Sequence, residues 1–170
     1  MRSHTVFISL GSNQGDREKA LIEAAASLSP EITPTAFSKI YETPPWGYDQ
    51  QPPFLNQVIR AETSLPPLEL LDKFKAIEKD LGRKPTFRYG PRVIDVDILF
   101  YDATIISSGR LTIPHPEIEK RAFVLVPMMD IAPDFIHPVN GRSITNLLKD
   151  LPTENIKEYQ SEEEIRPDHA

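Results

Sequence analysis

Asp95 and Asp97, two aspartates separated by one residue, have the type and spacing that most clearly indicate chemistry in this chain. Residues 93–101 alternate with a period of two, which predicts a β-strand. The two carboxylates then project from one face of that strand with their Cα atoms about 6–7 Å apart, so both can reach one metal ion or a close pair. The alternative is an edge strand whose acids are simply solvated. The other face is wholly apolar and is predicted to lie on the core; it consists of Ile94, Val96, Ile98 and Phe100.

The segment just before the aspartates is basic, although the whole chain has a net charge of −6. Carboxylate oxygens suit Mg²⁺, and guanidinium groups bind phosphate oxygens in pairs. The Gly90–Pro91 bend allows the end of this segment to share a site with the aspartates. The combination therefore predicts a site for a polyphosphate with magnesium. The basic residues of the segment are Arg83, Lys84, Arg88 and Arg92.

The composition is that of an ordinary soluble globular chain of 170 residues, 39% hydrophobic and 26% charged. The absence of cysteine excludes a disulfide framework and a thiolate zinc site, and it fits the cytoplasm. No run approaches the roughly 18–20 apolar residues of a membrane span, no signal-peptide pattern is present, and the acidic balance argues against nucleic acid as a partner. We expect a cytoplasmic monomer with one domain over residues 1–152 and a disordered acidic tail over residues 153–170.

Predicted strands and helices follow one another in the order β-α-β-β-α-β, and shorter pieces come after them. This order predicts an α+β fold in which helices pack on a mainly antiparallel sheet, as an α/β/α sandwich with a ferredoxin-like core. Asp16 is a natural N-cap for the first helix and Gly82 a natural C-cap for the second. The predicted strands are residues 5–10, 35–42, 54–62 and 93–101; the helices are 17–28 and 66 or 67–81; the shorter pieces are a strand at 104–107, a helical turn at 119–122, an apolar core run at 123–129, a strand at 135–136 and a helix at 144–151.

Four other features each allow two interpretations. The proline-rich segment 43–53 is either a lid or binding loop, or a surface crossover stiffened by proline. The Gly11-Ser12-Asn13 turn is either a ligand-facing backbone nest or a plain strand-to-helix turn. His115, held between two prolines, is either a fixed ligand contact or a structural histidine. Glu78 either neutralises an arginine of the basic segment or touches a ligand.

Residues 88–99 resemble the signature of the hydroxymethyl-dihydropterin pyrophosphokinases of folate biosynthesis. That signature is a basic residue, any residue, Gly-Pro-Arg, two residues, and then Asp-apolar-Asp with two more apolar residues. The resemblance extends over roughly residues 5–151 through several motifs in the correct order. These are Gly11-Ser12-Asn13, Tyr41-x-Thr43-Pro44-Pro45, Phe54-Leu55-Asn56, Glu78 with Gly82-Arg83, and Pro114-His115 followed by Arg121 and Phe123.

The resemblance implies an activity and a set of site residues. The primary hydroxyl of 6-hydroxymethyl-7,8-dihydropterin attacks the β-phosphorus of ATP, the diphosphate is transferred as a unit, and AMP leaves. Asp95 and Asp97 are implied to hold two Mg²⁺ ions, and with Arg83 and Arg92 they are the implied catalytic residues. The implied ATP-binding residues are Leu71, Lys75, Glu78, Arg83, Tyr89, Arg92, Ile98, Arg110, Thr112, His115 and Arg121. The pterin ring is expected between Phe54 and Phe123, and the implied pterin-binding residues are Thr43, Pro44, Pro45, Trp46, Phe54, Asn56 and Phe123.

The chain departs from the family pattern at three places. Tyr89 stands where tryptophan is common, and Phe54 replaces the tyrosine of some members. The basic segment is short, so Lys84 and Arg88 are the two candidates for the role of a second loop arginine. The segments 47–53 and 84–89 are expected to flank the site and close over ATP. Two routes for the proton of the attacking hydroxyl are open, namely transfer to Asp97 or acidification by the metal alone.

Two other classes of function share parts of this pattern. Glycosyltransferases and nucleotidyltransferases also use Asp-x-Asp to hold the metal of a nucleotide, but they would release UDP, ADP or phosphate rather than AMP. A non-catalytic nucleotide- or RNA-binding module would show binding without turnover, and it would leave the pair of acids without a purpose.

Overall fold

A computed structural model of the chain describes residues 2–44, 50–82 and 93–160. Within these residues, the order is β-α-β-β-β-α-β before shorter elements follow, which is one strand more than predicted. The strands are β1 (His4–Ser12), β2 (Ile32–Phe37), β3 (Tyr41–Thr43), β4 (Phe54–Thr63), β5 (Asp95–Tyr101), β6 (Ile106–Ser107), β7 (Thr112–Ile113) and β8 (Lys157–Glu158). The helices are α1 (Arg17–Ala26), α2 (Pro67–Asp80), α3 (Ala122–Ile131) and α4 (Ile144–Leu148), with a 3₁₀ turn at Ile118–Lys120.

The main sheet has the strand order β5-β1-β4-β3-β8, and every pairing described within it is antiparallel. β2 and β3 lie one after the other along β4: β2 pairs with its second half and β3 with its first half. If β2 and β3 are counted together as the second strand of the core, the order is that of a ferredoxin-like sheet. The predicted α+β class is confirmed.

Helices cover both faces of the sheet, because the strands alternate between two apolar cores. Val6, Ile8 and Leu10 of β1 pack with α1 and α2 on what we call the first face. Phe7 of β1 and Val58 of β4 pack with α3 and α4 on the second face. The result is the predicted α/β/α sandwich.

The predicted strand 35–42 is two strands, β2 and β3, because Ser38 interrupts the ladder. Its backbone N–H donates to the carbonyl of Val58 at 2.9 Å, and its Oγ accepts from the N–H of Val58 at 2.9 Å. One buried side chain therefore replaces a backbone partner, and the chain bends before β3 begins at Tyr41.

The predicted apolar face of β5 is wrong at Phe100. The register against β1 shifts between Phe7, which pairs with Phe100, and Ile8, which pairs with Ile98. This bulge adds one residue, Leu99, so Phe100 lies in the second-face core while Ile98 lies in the first-face core. The simple period of two from the sequence holds only as far as Ile98.

Several shorter elements differ from the predicted bounds. The piece at 104–107 is only Ile106–Ser107, which pairs with β7, and the strand at 135–136 is a single bridge from Ile136 to Ser143. The first helix ends at Ala26 and the last at Leu148. Part of the predicted tail is built into the sheet as β8, residues 161–170 lie outside the described residues, and the division at residue 152 stays a prediction. In the described parts of the chain, none of the helices has the length and apolar character needed to cross a membrane.

Candidate active site

One row of residues runs across the sheet and carries polar groups of the candidate site. Gly11 of β1 pairs with Asp95 of β5 on one side and with Asn56 of β4 on the other, and Asn56 pairs with Tyr41 of β3. Residues directly opposite one another in a sheet project to the same face. Asp97 lies one row further along, opposite Ser9. Both aspartates and Asn56 therefore lie on the second face.

The two aspartates are partly buried and carry like charges close together. Burial raises the pKa of Asp97 well above its ordinary value, and the neighbouring carboxylates of Asp95 and Glu78 raise it further. Arg121 and Lys75 act in the opposite direction without offsetting these effects. Among the described residues, the surroundings of Asp97 therefore have an excess of negative charge, which a bound cation would relieve.

Glu78 ties the end of α2 to the strand that carries the aspartates. Its buried Oε2 accepts a hydrogen bond of 2.8 Å from the backbone N–H of Val96, the residue between the two aspartates. Its Oε1 lies 3.6 Å from Nζ of Lys75 on the same helix. Of the two interpretations from the sequence, neither predicted this backbone contact, which fixes the strand between its two acids.

Two groups that can bind phosphate lie close to these acids. Arg121 precedes α3, its Nη2 donates to Oε2 of Glu117 at 2.6 Å, and its guanidinium lies over the ring of Phe123 at 5.5 Å. The backbone N–H of His115 donates to the carbonyl of Leu99 at 3.0 Å, at the bulge of β5. The charge of Arg121 affects the pKa of both Asp97 and His115, so the three side chains share one local environment.

His115 is a neutral imidazole near pH 7. Burial lowers its pKa to about 4, with Arg121 as the next cause, while Glu117 and Asp95 act in the opposite direction. Nδ1 accepts a hydrogen bond of 3.3 Å from the backbone N–H of Glu117. The proton of the neutral ring is therefore assigned to Nε2, which can donate a hydrogen bond to a phosphate oxygen.

Thr43, Phe54 and Asn56 come together at the joined ends of β3 and β4. Thr43 pairs with Phe54, and Nδ2 of Asn56 donates to Oγ1 of Thr43 at 2.7 Å. Thr43 and Asn56 are buried. A Cβ at Gly11 would lie 3.2 Å from Oδ1 of Asn56 and 3.7 Å from the ring of Phe54. Only glycine therefore leaves this amide undisturbed, because the strands approach closely at this point.

The other predicted residues divide into three groups. The side chains of Leu71 and Ile98 belong to the first-face core, so only the backbone of Ile98 is available to a ligand on the second face. Arg110 donates to Asp72 of α2 at 2.6 Å in an exposed ion pair, and Thr112 and Pro44 are exposed. The remaining predictions fall on residues outside the described ranges, namely Pro45, Trp46, Arg83, Tyr89 and Arg92.

A second polar cluster, which the sequence did not reveal, lies at the start of α1. Buried Asn13 donates to Oε1 of Gln51 at 2.7 Å and to the carbonyl of Pro52 at 3.1 Å. Arg17 donates to the carbonyl of Pro53 at 3.0 Å, and an open cavity of about 470 Å³ is lined by residues that include Asn13, Arg17, Pro52 and Pro53. The only signal in the sequence was the Gly11-Ser12-Asn13 turn, because the partners are almost 40 residues away.

Comparison with known proteins identifies the same family that the sequence motifs resemble. A family model described as 7,8-dihydro-6-hydroxymethylpterin-pyrophosphokinase (HPPK) matches residues 7–133. The 2-amino-4-hydroxy-6-hydroxymethyldihydropteridine pyrophosphokinase of Aquifex aeolicus is 40% identical over 163 residues, which are 96% of this chain and 94% of that protein. Its Bacillus subtilis namesake is 44% identical over 131 residues, 76% of this chain and 78% of that protein.

Some relatives are much longer than this chain. The folic acid synthesis protein fol1 of Pneumocystis carinii is 43% identical over 156 residues, which are 91% of this chain but 21% of that protein. The Plasmodium falciparum HPPK-DHPS A437G/K540E structure superposes with a TM-score of 0.73 at 16% identity, covering 92% of this chain and 47% of that one. At such low identity the structural likeness shows the fold.

The family match over residues 7–133 and the match to a relative along almost its whole length agree with the fold and with the motifs at 88–99. This chain belongs to the 7,8-dihydro-6-hydroxymethylpterin-pyrophosphokinase family, a family of transferases in folate synthesis.

Proposed function

We propose that the chain transfers the terminal diphosphate of ATP to the hydroxymethyl group of 6-hydroxymethyl-7,8-dihydropterin in a magnesium-dependent reaction. The hydroxyl oxygen forms a bond to the β-phosphorus, the bond from that phosphorus to the oxygen of the α-phosphate breaks, and AMP and the hydroxyl proton are released. The observation that carries the proposal is the row in which Asp95, Gly11 and Asn56 lie side by side on one face. Asp95 of the acid pair therefore lies in the same row as Asn56, one of the residues expected to bind the pterin, and Asp97 lies one row further along.

The donor set of the site fits Mg²⁺. Asp95 and Asp97 offer hard oxygen ligands, and the pKa of Asp97 is raised first by burial and then by the neighbouring carboxylates of Asp95 and Glu78. In the described part of the chain, no group of three or more His, Cys, Asp or Glu residues is arranged to hold a metal ion. Mg²⁺ commonly takes one or two protein carboxylates and completes its shell with water and substrate phosphates. When bound, it would neutralise charge on the triphosphate and on the oxygens that react.

The remaining side chains support transfer by binding and orientation. Arg121 carries a fixed positive charge, and Nε2 of His115 is a neutral donor, so both suit phosphate oxygens. Asn56 and Thr43 form a buried hydrogen-bonded pair that suits the polar edge of a pterin. Phosphoryl transfer needs no covalent nucleophile on the protein, because positioning and charge neutralisation lower the barrier.

The proposal extends to residues outside the described ranges. Arg83 and Arg92 are proposed to bind the transferred phosphates, Tyr89 to contact ATP, and Pro45 and Trp46 to contact the pterin. Phe123 is proposed to stack on the ring opposite Phe54. Closure of residues 47–53 and 84–89 over ATP, a monomeric state and a cytoplasmic location remain predictions.

The test is incubation of the purified protein with ATP, MgCl₂ and the reduced pterin alcohol, followed by chromatography of the nucleotides. We expect AMP and the pterin diphosphate in equal amounts, and neither product when the pterin or the magnesium is omitted. ADP or inorganic phosphate as the nucleotide-derived product would favour a simple kinase or a hydrolase. Binding of ATP without any turnover would favour a non-catalytic module.

A further inference from the structure

The segment 44–53, on which several pterin contacts are expected, begins and ends at two neighbouring strands. Thr43 is the last residue of β3 and Phe54 the first residue of β4, and the two are directly opposite each other. Any shift of β3 along or away from β4 would therefore change the separation of the two ends of the segment and disturb the Asn56–Thr43 hydrogen bond. β3 has only three residues, so the ladder alone holds it weakly.

Arg17 contacts both ends of this segment. Its Nη1 lies 2.7 Å from Oε2 of Glu42, the residue before Thr43, and donates at 3.0 Å to the carbonyl of Pro53, the residue before Phe54. Arg17 is the first residue of α1, and its helix is fixed by the Asp16 N-cap and by packing on the first-face core. One side chain on a rigid helix thus links the two ends.

The C-terminal strand supports the same residue from outside. β8 pairs with β3 through Tyr41 opposite Glu158 and Glu42 opposite Lys157. The N–H of Tyr159 donates to the carbonyl of Ile40 at 2.8 Å, and the guanidinium of Arg17 lies 5.9 Å from the centre of the Tyr159 ring. The ring is partly buried against the first-face core. The family match ends at residue 133, so this support comes from a part of the chain that the family model does not cover.

A purely structural role would affect stability but not one substrate in particular. Arg17 and Glu42 are both partly exposed, with side chains 25% and 41% accessible, and ion pairs of this kind contribute little to stability. A displacement of the substrate by about 1 Å, in contrast, can reduce the rate about a hundredfold. Loss of the contact should therefore appear in the use of the pterin more than in the melting temperature.

We propose that Arg17, supported by Tyr159 of the C-terminal strand, is a positioning residue for the pterin site. It holds Glu42 and Pro53, and with them both ends of segment 44–53, at a fixed separation. Arg17 contacts no substrate in this scheme and acts only through the two strand ends. The inference rests on the proposed function, since it names the pterin as the substrate whose binding depends on this contact.

The test compares Arg17→Met with Lys19→Met. Methionine keeps much of the length of the arginine side chain but removes its charge and its donors. Lys19 is a matched control because it lies on the same helix, is 68% exposed and, among the described residues, forms a single long ion pair, with Glu23 at 3.8 Å. For Arg17→Met we expect KM for the pterin to rise about tenfold or more while KM for ATP changes less than about twofold. The melting temperature should stay close to that of the parent, and Lys19→Met should behave like the parent.

The aromatic support is tested separately with Tyr159→Phe and Tyr159→Leu. Phenylalanine keeps a ring under the guanidinium and leucine removes it, so KM for the pterin should rise clearly more with leucine than with phenylalanine, in the same direction as with Arg17→Met. If Arg17→Met fails to fold, the two Tyr159 variants still test whether the supported arginine positions the pterin site. An unchanged pterin KM in Arg17→Met, or equal rises in both KM values together with a large fall in melting temperature, would overturn the positioning role.

A readout without turnover separates this inference from the proposed function. Amide hydrogen exchange at residues 41–43 and 54–56 should be faster in Arg17→Met than in Lys19→Met, because the strand ends open more often. If the parent protein makes no AMP from ATP and the pterin, the proposed function fails, and exchange still tests the contact. If exchange is the same in both variants, the contacts of Arg17 do not stabilise the ends of β3 and β4. The inference then fails even if the enzyme is active.

Discussion

At the scale of single residues, Asp95 and Asp97 create a local imbalance of charge that the fold tolerates. They lie beside each other on one face, and Glu78 adds a third carboxylate close to Asp97. Like charges at short range raise the free energy of the folded state unless a cation binds. Such a cost is expected where a site is built to receive a metal ion and a highly charged substrate.

The first prediction concerns Asp97→Asn. We expect turnover to fall by at least about a hundredfold, because the proposed magnesium site would lose one of its carboxylate ligands. The melting temperature without metal at pH 7.5 should be equal to or higher than that of the parent, because a repulsion is removed. Asp150→Asn is the control, since Asp150 is 72% exposed and pairs with Arg142 on the surface. Near-normal turnover of Asp97→Asn would rule out the metal role.

The second prediction concerns Gly11→Ala. The added methyl would lie 3.2 Å from Oδ1 of Asn56, so the amide must shift and KM for the pterin should rise several-fold, with KM for ATP little changed. Gly109→Ala is the control: it also adds a methyl at a glycine, but among the described residues no atom lies within 4 Å of that position. Steady-state kinetics with each substrate varied in turn checks both, and equal pterin KM values for the two variants would contradict the role given to Asn56.

The third prediction concerns the pH dependence of stability. Because the pKa of His115 falls from 6.5 in the unfolded chain to about 4 in the fold, the unfolded state binds a proton first as the pH falls. The contribution of neutral His115 to the free energy of unfolding is present above pH 6.5. It is lost as the pH falls toward 4, by at most about 3 kcal/mol. His115→Asn keeps an acceptor for the N–H of Glu117 but does not titrate. Melting curves should therefore show that the parent loses more stability than the variant between pH 7 and 4.5. An equal loss of stability in the two proteins would refute the burial of a neutral imidazole.

At the scale of elements, the contact between α2 and β5 sets the position of the acids. Glu78 accepts from Val96, and the bulge at Leu99 presents a carbonyl to His115. These two backbone contacts flank Asp97 along the strand. The helix end and the bulge thus fix the part of β5 that faces the site.

The fourth prediction compares two substitutions of Glu78. Glu78→Ala leaves the N–H of Val96 without its side-chain acceptor and should lower the free energy of unfolding by about 1–3 kcal/mol. Glu78→Gln keeps an oxygen that can accept, so its loss should be clearly smaller. Urea unfolding of both variants measures the difference, and an equal loss in the two would mean that the hydrogen bond to the strand contributes little.

Elements are also where prediction from the sequence was weakest. The Asp16 cap, the Pro67 start of α2 and the alternation before Ile98 are local signals, and each predicted the observed element. The bulge in β5 and the break at Ser38 depend on partners in β1 and β4, far away in the chain. Local periodicity contains no information about such register shifts.

At the scale of the whole molecule, the order of strands and helices was enough to predict the α/β/α sandwich, because few topologies fit that order. The position of Asp95 and Asp97 on one face of β5 also followed from the alternation of that strand before Ile98. The contacts of Arg17 and the incorporation of β8 could not be predicted, since they join segments that lie between 25 and more than 100 residues apart in the chain. Long-range polar contacts of single side chains produce no periodic pattern of residue types in a sequence, so periodicity cannot predict them.

Transfer of the diphosphate as one unit is tested most directly with ATP labelled separately at its β- and γ-phosphorus. If the acids of β5 and the residues of β4 and β3 form one site for diphosphate transfer, both labels should enter the pterin product in equal amounts, only with magnesium present, and Asp97→Asn should abolish both. Transfer of the γ-label alone, or equal transfer by parent and variant, would contradict the account.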